Sequence, residues 1–443
     1  MFVSIRGRVL INVEALNMTE SVGNYVKHRR VPVVSPTTYA TYFVPAISGE
    51  SIAHGFQEVL AGEAGKDNSL RDKVCNLCKQ GIFLKSTNNS VIYEAFKDKL
   101  DNWRISSESD FERAVVSSCI VEDIGGFLYA PGQQEKLTDE AKQKLASVGI
   151  MKRERNKYSN AFGNIKRTSN FSTGYMIPVR EAIENTIIEP QLHSRYALGT
   201  PFVEKGTQGQ MIYYVELSSA PYVFSFDLDT KYIGRLTFSY DKAGDPAVND
   251  DELKRRLNVT LDSLKLFLIE MLFGAKKTRF LPVIDWESIV IAVSGDVWTI
   301  PSPLSANYIA NALNKLSKTN RKAELFVYIN PMVLEDTTVY VEKKTEELLE
   351  SFYKALDELK KKIENRGDTN LIDWNEFKRK KLEEFLEKKV DELMKSSDLR
   401  YTSKVQEIYA KAKAELEKEG IAVYESFEEC VSEAVKKAKE KIG

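Results

Sequence analysis

Apolar and polar residues alternate from the start of the chain: "FVSIRGRVLINV" carries β-branched and apolar side chains at strand spacing, and Val9–Val13 reads as a strand. Residues 31–34 and 42–44 repeat the pattern. Between them, "SVGNYVKHRR" reads as a surface connection held by a rigid frame, where ligands are commonly met. "FVPAISGESIAHGFQEVLAG" then predicts a strand, a turn at Pro45 and a helix opened by Ser48, a β-to-α step. From about Gly62 to Cys119 the pattern turns polar and helical with breaks, which predicts an insertion riding on the body rather than core-building sequence. "CIVEDIGGFLYA" and "IKRTSNFSTGYMIPV" predict two strand arms around a polar tip at 131–164, together a long projecting hairpin.

Farther along, "QMIYYVELSSAPYVFSFDLDT" is strongly β-forming. Leu257, Leu261, Leu264, Phe267 and Leu268 then keep helical spacing, with Gly274 as a stop. "SIVIAV" and "AELFVYIN" add two strands around a helix near 307–316. Strands and helices in this mixed order predict an α+β fold, a ferredoxin-like sheet with large insertions. From Val341 onward the chain is dense in Glu and Lys, nearly balanced in sign, with apolar residues three and four apart. That pattern predicts amphipathic helices, a hairpin or bundle with a solvated face, and is compatible with a partner-docking appendage.

Composition narrows the function classes. A chain of 443 residues with 43% hydrophobic and 10% aromatic content can bury a substantial core in two or more domains. Its formal net charge of -1 argues against a surface coated in cations, so any nucleic-acid contact must come from local clusters. No apolar run approaches the roughly 18 residues of a membrane span, and Arg6 and Arg8 interrupt the first strand, so a cytoplasmic protein without a membrane role is expected. Cys75, Cys78, Cys119 and Cys430 are too few and too dispersed for a disulfide framework.

Three cationic clusters carry the chemistry. In the first, Asn24 and Tyr25 precede Lys27, His28, Arg29 and Arg30, setting an amide and a stacking ring beside phosphate-binding charge. The second runs through Lys142, Lys144, Lys152, Arg153, Arg155, Lys157, Lys166 and Arg167, with Tyr158, Phe162 and Phe171 interleaved, a composition suited to a single strand. The third is "FGAKKTRFLPV", where Gly274 and Ala275 permit close backbone approach and Lys276, Lys277 and Arg279 supply charge.

"VPAISGESIAHGFQ", "VEDIGGFLYA", "IKRTSNFSTGYMIPV", "EPQLHSRY", "QMIYYVELSSAPYVFSFDLDT" and "FGAKKTRFLPV", in that order over roughly residues 1–335, resemble the archaeal DevR-like backbone subunit of the type I-A CRISPR surveillance (Cascade) complex, a branch of the RAMP superfamily. The resemblance implies a modified RNA-recognition palm (1–61 and 179–340), a helical fingers insertion (62–119) and a β-hairpin thumb (120–178), with 341–443 as a charged α-helical extension. It implies a non-catalytic protein that binds CRISPR RNA, polymerises along it with copies of itself, contacts other subunits, and presents the guide for pairing with target DNA. Asn24, Lys27, His28, Arg29 and Arg30 would then grip the RNA backbone. Ser48, Gly49 and Ser51 would offer a helix N-terminus to a phosphate. His54 and Gln57 would follow on that helix's exposed face, Lys166 and Arg167 would lie on the thumb's return arm, and His193 and Arg195 in "QLHSRY" complete the set with Lys276, Lys277 and Arg279.

Other chemistries fit less well. RAMP relatives include metal-independent endoribonucleases, and His28 beside Tyr25 and Lys27 is the arrangement such an enzyme would use as acid and base. Asp227 and Asp229 alternate onto one strand face, yet a third ligand for a divalent ion is not visible. Cys75 and Cys78 form a lone C-x-x-C without the second pair or histidine that tetrahedral zinc requires, and read as ordinary helical cysteines. No metal or cofactor is expected. A DNA-binding autoregulator finds no helix-turn-helix signal.

Overall fold

The computed structural model describes residues 1–132, 136–155, 157–196, 210–319, 321–334 and 397–442, with isolated positions between 350 and 385. Strand β1 (Phe2–Glu14) is the axis of a mixed sheet. Along its N-terminal half the sides alternate, Val3 and Ile5 pointing into one core while Ser4 and Arg6 point the other way. Val9 and Ile11 continue that alternation onto the same core, and the register shift between Arg8 and Val9 falls in a later strand, where Glu287 between Ser288 and Trp286 has no partner on β1. Gly7 stands where a Cβ would strike the Trp286 ring at 2.6 Å and the Ser288 carbonyl at 2.9 Å, so that crossing accepts no side chain.

Strands β2 (Met18–Val22) and β3 (Tyr25–His28) follow as a hairpin, then a separate pair, β4 (Arg30–Val34) and β5 (Thr41–Pro45). The basic segment is therefore strand rather than surface connection. Helix α1 (Gly49–Lys66) comes next, with Ser48 as N-cap, its hydroxyl accepting from the Ser51 amide. Helices α2 (Asn89–Phe96), α3 (Glu108–Ser118) and α4 (Ile120–Gly125) build the insertion and its exit. Contrary to the polar reading of this stretch, Leu70, Val74, Ile92, Phe96, Trp103 and Phe111 are buried and continuous with the main core. Phe96 meets Trp103 at 4.9 Å and Phe111 meets Tyr129 at 4.6 Å.

The two expected arms pair only briefly. Residues 120–125 are helical, because Glu122 and Asp123 turn inward to buried partners; β6 (Phe127–Tyr129) then joins β9 (Ile165–Arg167). Between them lie α5 (Asp139–Ser147) and a small hairpin, β7 (Met151–Glu154) with β8 (Lys157–Asn160). Leu145, Ile150, Met151 and Ile165 pack into the main core, so the described part of this segment folds back onto the body instead of projecting. The long hairpin lies elsewhere. After β10 (Phe171–Thr173), β11 (Ile188–Tyr196) pairs with the first half of β12 (Gln210–Asp229) from Ile188↔Ser218 to Tyr196↔Gln210.

Helix α6 (Asp250–Glu270), β13 (Val283–Ser294), α7 (Tyr308–Lys318), β14 (Ala323–Ile329) and a short α8 (Pro331–Leu334) complete the body. The remaining described elements are α9 (Ser397–Lys418), β15 (Val423–Tyr424) and α10 (Phe427–Glu440). They are part of the core, which corrects the picture of a solvated appendage. Sheet order is β15-β14-β13-β1-β12-β3-β2, with β10 and β11 also on β12 and β15 parallel to β14. Helices α1, α6 and α10 cover one face, packing Phe56, Phe267 and Val431 near Ile5, Phe226 and Ile291. Helices α7 and α9 cover the other with Tyr308, Ala312, Tyr409 and Leu416 against Val290, Ala292 and Val327. With both faces covered, β13 is buried almost continuously from Ser288 to Ser294.

Candidate nucleic-acid interface

The first turn of α1 lies between two clefts. One, of about 610 Å³, is lined by Asn17, Arg29, Ser48, Ser51, His54, Gly274 and Lys277 among others, with the carboxylates of Glu50 and Glu58 also on its wall. These come from the end of β1, the strand-to-strand step at Arg29, the helix start and the segment after α6, so residues far apart in sequence meet here. Asn17 is the organiser: its side-chain oxygen accepts from Arg29 Nε at 2.6 Å and from the Ser48 amide at 3.1 Å, and its carbonyl accepts from the Arg29 amide at 2.9 Å. Gly274 has φ +89°, and a Cβ there would meet the Leu16 side chain at 2.7 Å, while the Ala275 amide donates to the Leu16 carbonyl at 2.8 Å. That close approach brings Lys277 over the cleft. Its ammonium donates to the Met271 carbonyl at 3.0 Å, and burial holds its pKa below the usual lysine value, partly offset by the Glu58 charge.

The second cleft, about 680 Å³, lies on the other flank of the same turn and is lined by Gly49, His54, Gln57, Phe83, Lys85 and Tyr175 among others. His54 is exposed, reaches Glu58 at 3.3 Å and packs edge-on to Phe83 at 4.9 Å. Gln57 is fully buried, not on an exposed face as its helical position suggested, and both polar atoms of its amide lack hydrogen-bond partners.

Cations of the first cluster line the sheet edge along β12. Lys27 pairs with Glu20 at 3.2 Å, both well exposed, and Arg30 reaches Glu216 at 2.7 Å. Glu216 also accepts from Tyr25 Oη at 3.2 Å and from the His28 amide at 2.7 Å. Asn24 is used locally, its amide donating to the Ile212 carbonyl at 3.0 Å. Farther along the β11–β12 hairpin, His193 stacks on Tyr213 at 5.3 Å, and Arg279 donates to Tyr213 Oη at 2.8 Å. Arg195 lies on β11 opposite Met211, and nothing is described of its side chain. Lys276 is exposed beside Lys277, and Lys166 is exposed on β9 but lines neither cleft.

Two expected contacts are buried instead. His28 is 2% exposed, with Nε2 at 2.6 Å from Glu14 and Nδ1 at 2.8 Å from the Arg29 carbonyl. Burial disfavours its charge, but the Glu14 hydrogen bond and charge outweigh that and raise its pKa. Strand alternation turns Arg167 inward while Lys166 faces out; its guanidinium lies against Glu112 at 2.9 Å and Asp123 at 2.6 Å, with Arg256 on the other Asp123 oxygen at 2.7 Å. Both are structural. The burial of His28 also removes the residue on which acid–base cleavage depended. Asp227 is engaged by Arg6 at 2.8 Å and Ser4 at 2.6 Å, which accounts for the acidic strand face. Of the residues that sequence reasoning overlooked, Asn17 alone had a signal, a polar amide directly after an apolar strand. Lys85 and Tyr213 had none.

The family model described as "CRISPR-associated negative auto-regulator DevR/Csa2" matches residues 5–313. This chain belongs to the DevR/Csa2 family. The resemblance read from the sequence is thereby borne out. Among curated relatives, the Cas7/Csa2 protein 1 of Saccharolobus solfataricus is 34% identical over 68% of this chain and 81% of its own length. A second Cas7/Csa2 protein of the same organism, described as an aCascade subunit, is 32% identical over 70% of this chain and 85% of its own. Chains of two CRISPR RNA-guided surveillance complexes are 11% and 9% identical, cover 74% of this chain and 91% and 89% of theirs, and reach TM-scores of 0.37 and 0.34. The DevR/Csa2 match ends at residue 313, so α9, β15 and α10 lie beyond it.

Proposed function

We propose that this DevR/Csa2 chain is a CRISPR RNA-binding backbone subunit of a type I surveillance complex. It holds the guide by its phosphates, repeats along it as copies of itself, and presents it for pairing with target DNA beside other subunits of the complex in the cytoplasm. In this reading residues 1–61 and 179–340 form a ferredoxin-like palm completed by 397–442, residues 62–119 are the fingers and 120–178 the thumb. The observation that carries it is the convergence of Arg29, the α1 N-terminus and Lys277 on one cleft from three distant segments. Helix amides and two cations form a phosphate cradle that reads no base. RNA cleavage, the second reading, lacks an accessible imidazole at His28.

The test is RNA binding as a function of salt. Arg29→Ala with Lys277→Ala should weaken single-stranded RNA binding at least tenfold and flatten the log–log salt slope by about 0.7 for each phosphate no longer neutralised. Unchanged affinity and slope in a folded double variant would overturn the assignment of this cleft.

A further inference from the structure

Three of the four cysteines meet in the interior. Cys75 and Cys78 stand in the turns before α2, and Cys119 lies at the junction of α3 and α4. All three are buried, and their sulfurs lie within 4.8 Å of one another. Cys78 and Cys119 are 3.8 Å apart, and two sulfurs bound to one tetrahedral zinc at about 2.3 Å each are separated by about 3.8 Å. A fourth donor is in place. Glu122 lies within one turn of Cys119; its Oε1 is 2.9 Å from Cys78 Sγ and accepts from the Leu84 amide at 3.0 Å. Its Oε2 is buried without a hydrogen-bond partner, a costly state for a carboxylate that a cation would relieve.

The surroundings are arranged for negative charge. The Cys78 amide is directed at the Cys75 sulfur and the Cys75 amide at the Cys119 sulfur, each at 3.4 Å, as donors to thiolates are. The Lys99 ammonium donates to the carbonyls of Val74 at 3.4 Å and Ser118 at 2.8 Å, the residues directly before Cys75 and Cys119. The Lys85 ammonium donates to the Gly125 carbonyl on the Glu122 side. With neutral thiols the Glu122 carboxylate balances only one of the two ammonium groups, whereas three thiolates and a carboxylate around a divalent cation are formally dianionic and balance both.

We propose that Cys75, Cys78, Cys119 and Glu122 form a structural zinc site that ties the turns of the insertion to α4. The soft, thiolate-rich donor set selects zinc over magnesium or calcium, and four protein donors leave no open position, so the role is structural. Each thiol loses its proton to solvent as the metal binds. The site is independent of the RNA-binding reading. Periodicity could not reveal it, because the third thiol comes 41 residues after the second, at the far end of the insertion.

The full-length chain, purified under reducing conditions, incubated with zinc and dialysed against metal-free buffer, should retain about one zinc per chain by elemental mass spectrometry. Cobalt(II) in place of zinc should give the thiolate-to-metal charge-transfer absorption. Glu122→Gln, which keeps an acceptor for the Leu84 amide, should weaken zinc at least tenfold, and Cys430→Ser, remote on α10, should leave it unchanged. The unsubstituted chain decides the matter even if a variant fails to fold. Less than a tenth of an equivalent of zinc with no cobalt band in the reduced, folded protein overturns the proposal, as does a disulfide among these cysteines that persists under reduction.

Discussion

At the scale of single residues, charge in this protein divides between groups that serve the frame and groups that face solvent. His28 and Glu14 are the clearest members of the first kind: both side chains are fully buried, and Glu14 also accepts from Tyr222 Oη at 2.9 Å and the Leu16 amide at 2.8 Å. Removing the imidazole takes away the charge partner of that buried carboxylate and leaves it only two neutral donors, so His28→Ala should cost about 3 kcal/mol in urea unfolding under mildly acidic conditions. The pH dependence has a definite sign. The folded pKa of His28 lies above its ordinary value of about 6.5, so the pair's contribution is fully present below that pH and fades as pH rises through the folded value. The stability gap between the unsubstituted chain and His28→Gln should therefore narrow from mildly acidic to mildly alkaline solution. A gap that is constant or widens would show that the imidazole is not charged in the fold. Sequence alone placed His28 among the RNA contacts because a basic run looks alike whether its second member turns in or out. The same ambiguity affected Arg167, which strand alternation put on the opposite side from Lys166.

At the scale of elements, the parts legible in the sequence were those with a strong period: β1, α1 with its Ser48 cap, α6 with Leu257 through Leu268, and β13. The strand arms were less legible. "VEDIGG" has too few residues to separate a strand from a single helical turn, and pattern cannot show that its acids are buried, Asp123 in ion pairs with Arg167 and Arg256 and Glu122 against Cys78 and the Leu84 amide. The amphipathic spacing of α10 was readable, but not its destination, since it docks on β13 and β14, far earlier in the chain. Phe427 stacks on Trp286 at 4.9 Å and meets Tyr328 edge-on at 5.8 Å. Phe427→Ala should cost about 3 kcal/mol by the same unfolding measurement, the range for emptying a buried aromatic site. A loss under about 0.5 kcal/mol would return α10 to the role of a solvated appendage. The candidate cleft was half legible: its cations and its helix cap were visible, whereas Asn17 and the Gly274 approach that unite them depend on tertiary contact.

At the scale of the whole molecule, the proposed guide-bound assembly requires each copy to present two different surfaces, because only a heterologous contact repeats without closing. The fold offers two hairpins with apolar side chains in solvent. On β4–β5 and its turn, Val34, Tyr39 and Phe43 are 56%, 83% and 70% exposed; on β11–β12, Leu192 and Ile212 are 58% and 44% exposed. Single exposed apolar residues need no explanation, but clusters on two separate hairpins suit a head-to-tail contact. The segment that the sequence suggested would project, residues 131–164, packs against its own core where it is described, which leaves these two hairpins for the contact between copies. Light scattering on complexes with RNAs of increasing length should show mass rising stepwise with RNA length. Phe43→Asp should abolish the steps while a single copy still binds a short RNA with unchanged affinity, since Phe43 lines neither cleft beside α1. A complex of fixed mass at every RNA length would contradict the repeating assembly, and stepwise growth that survives Phe43→Asp would remove the β4–β5 hairpin from the contact.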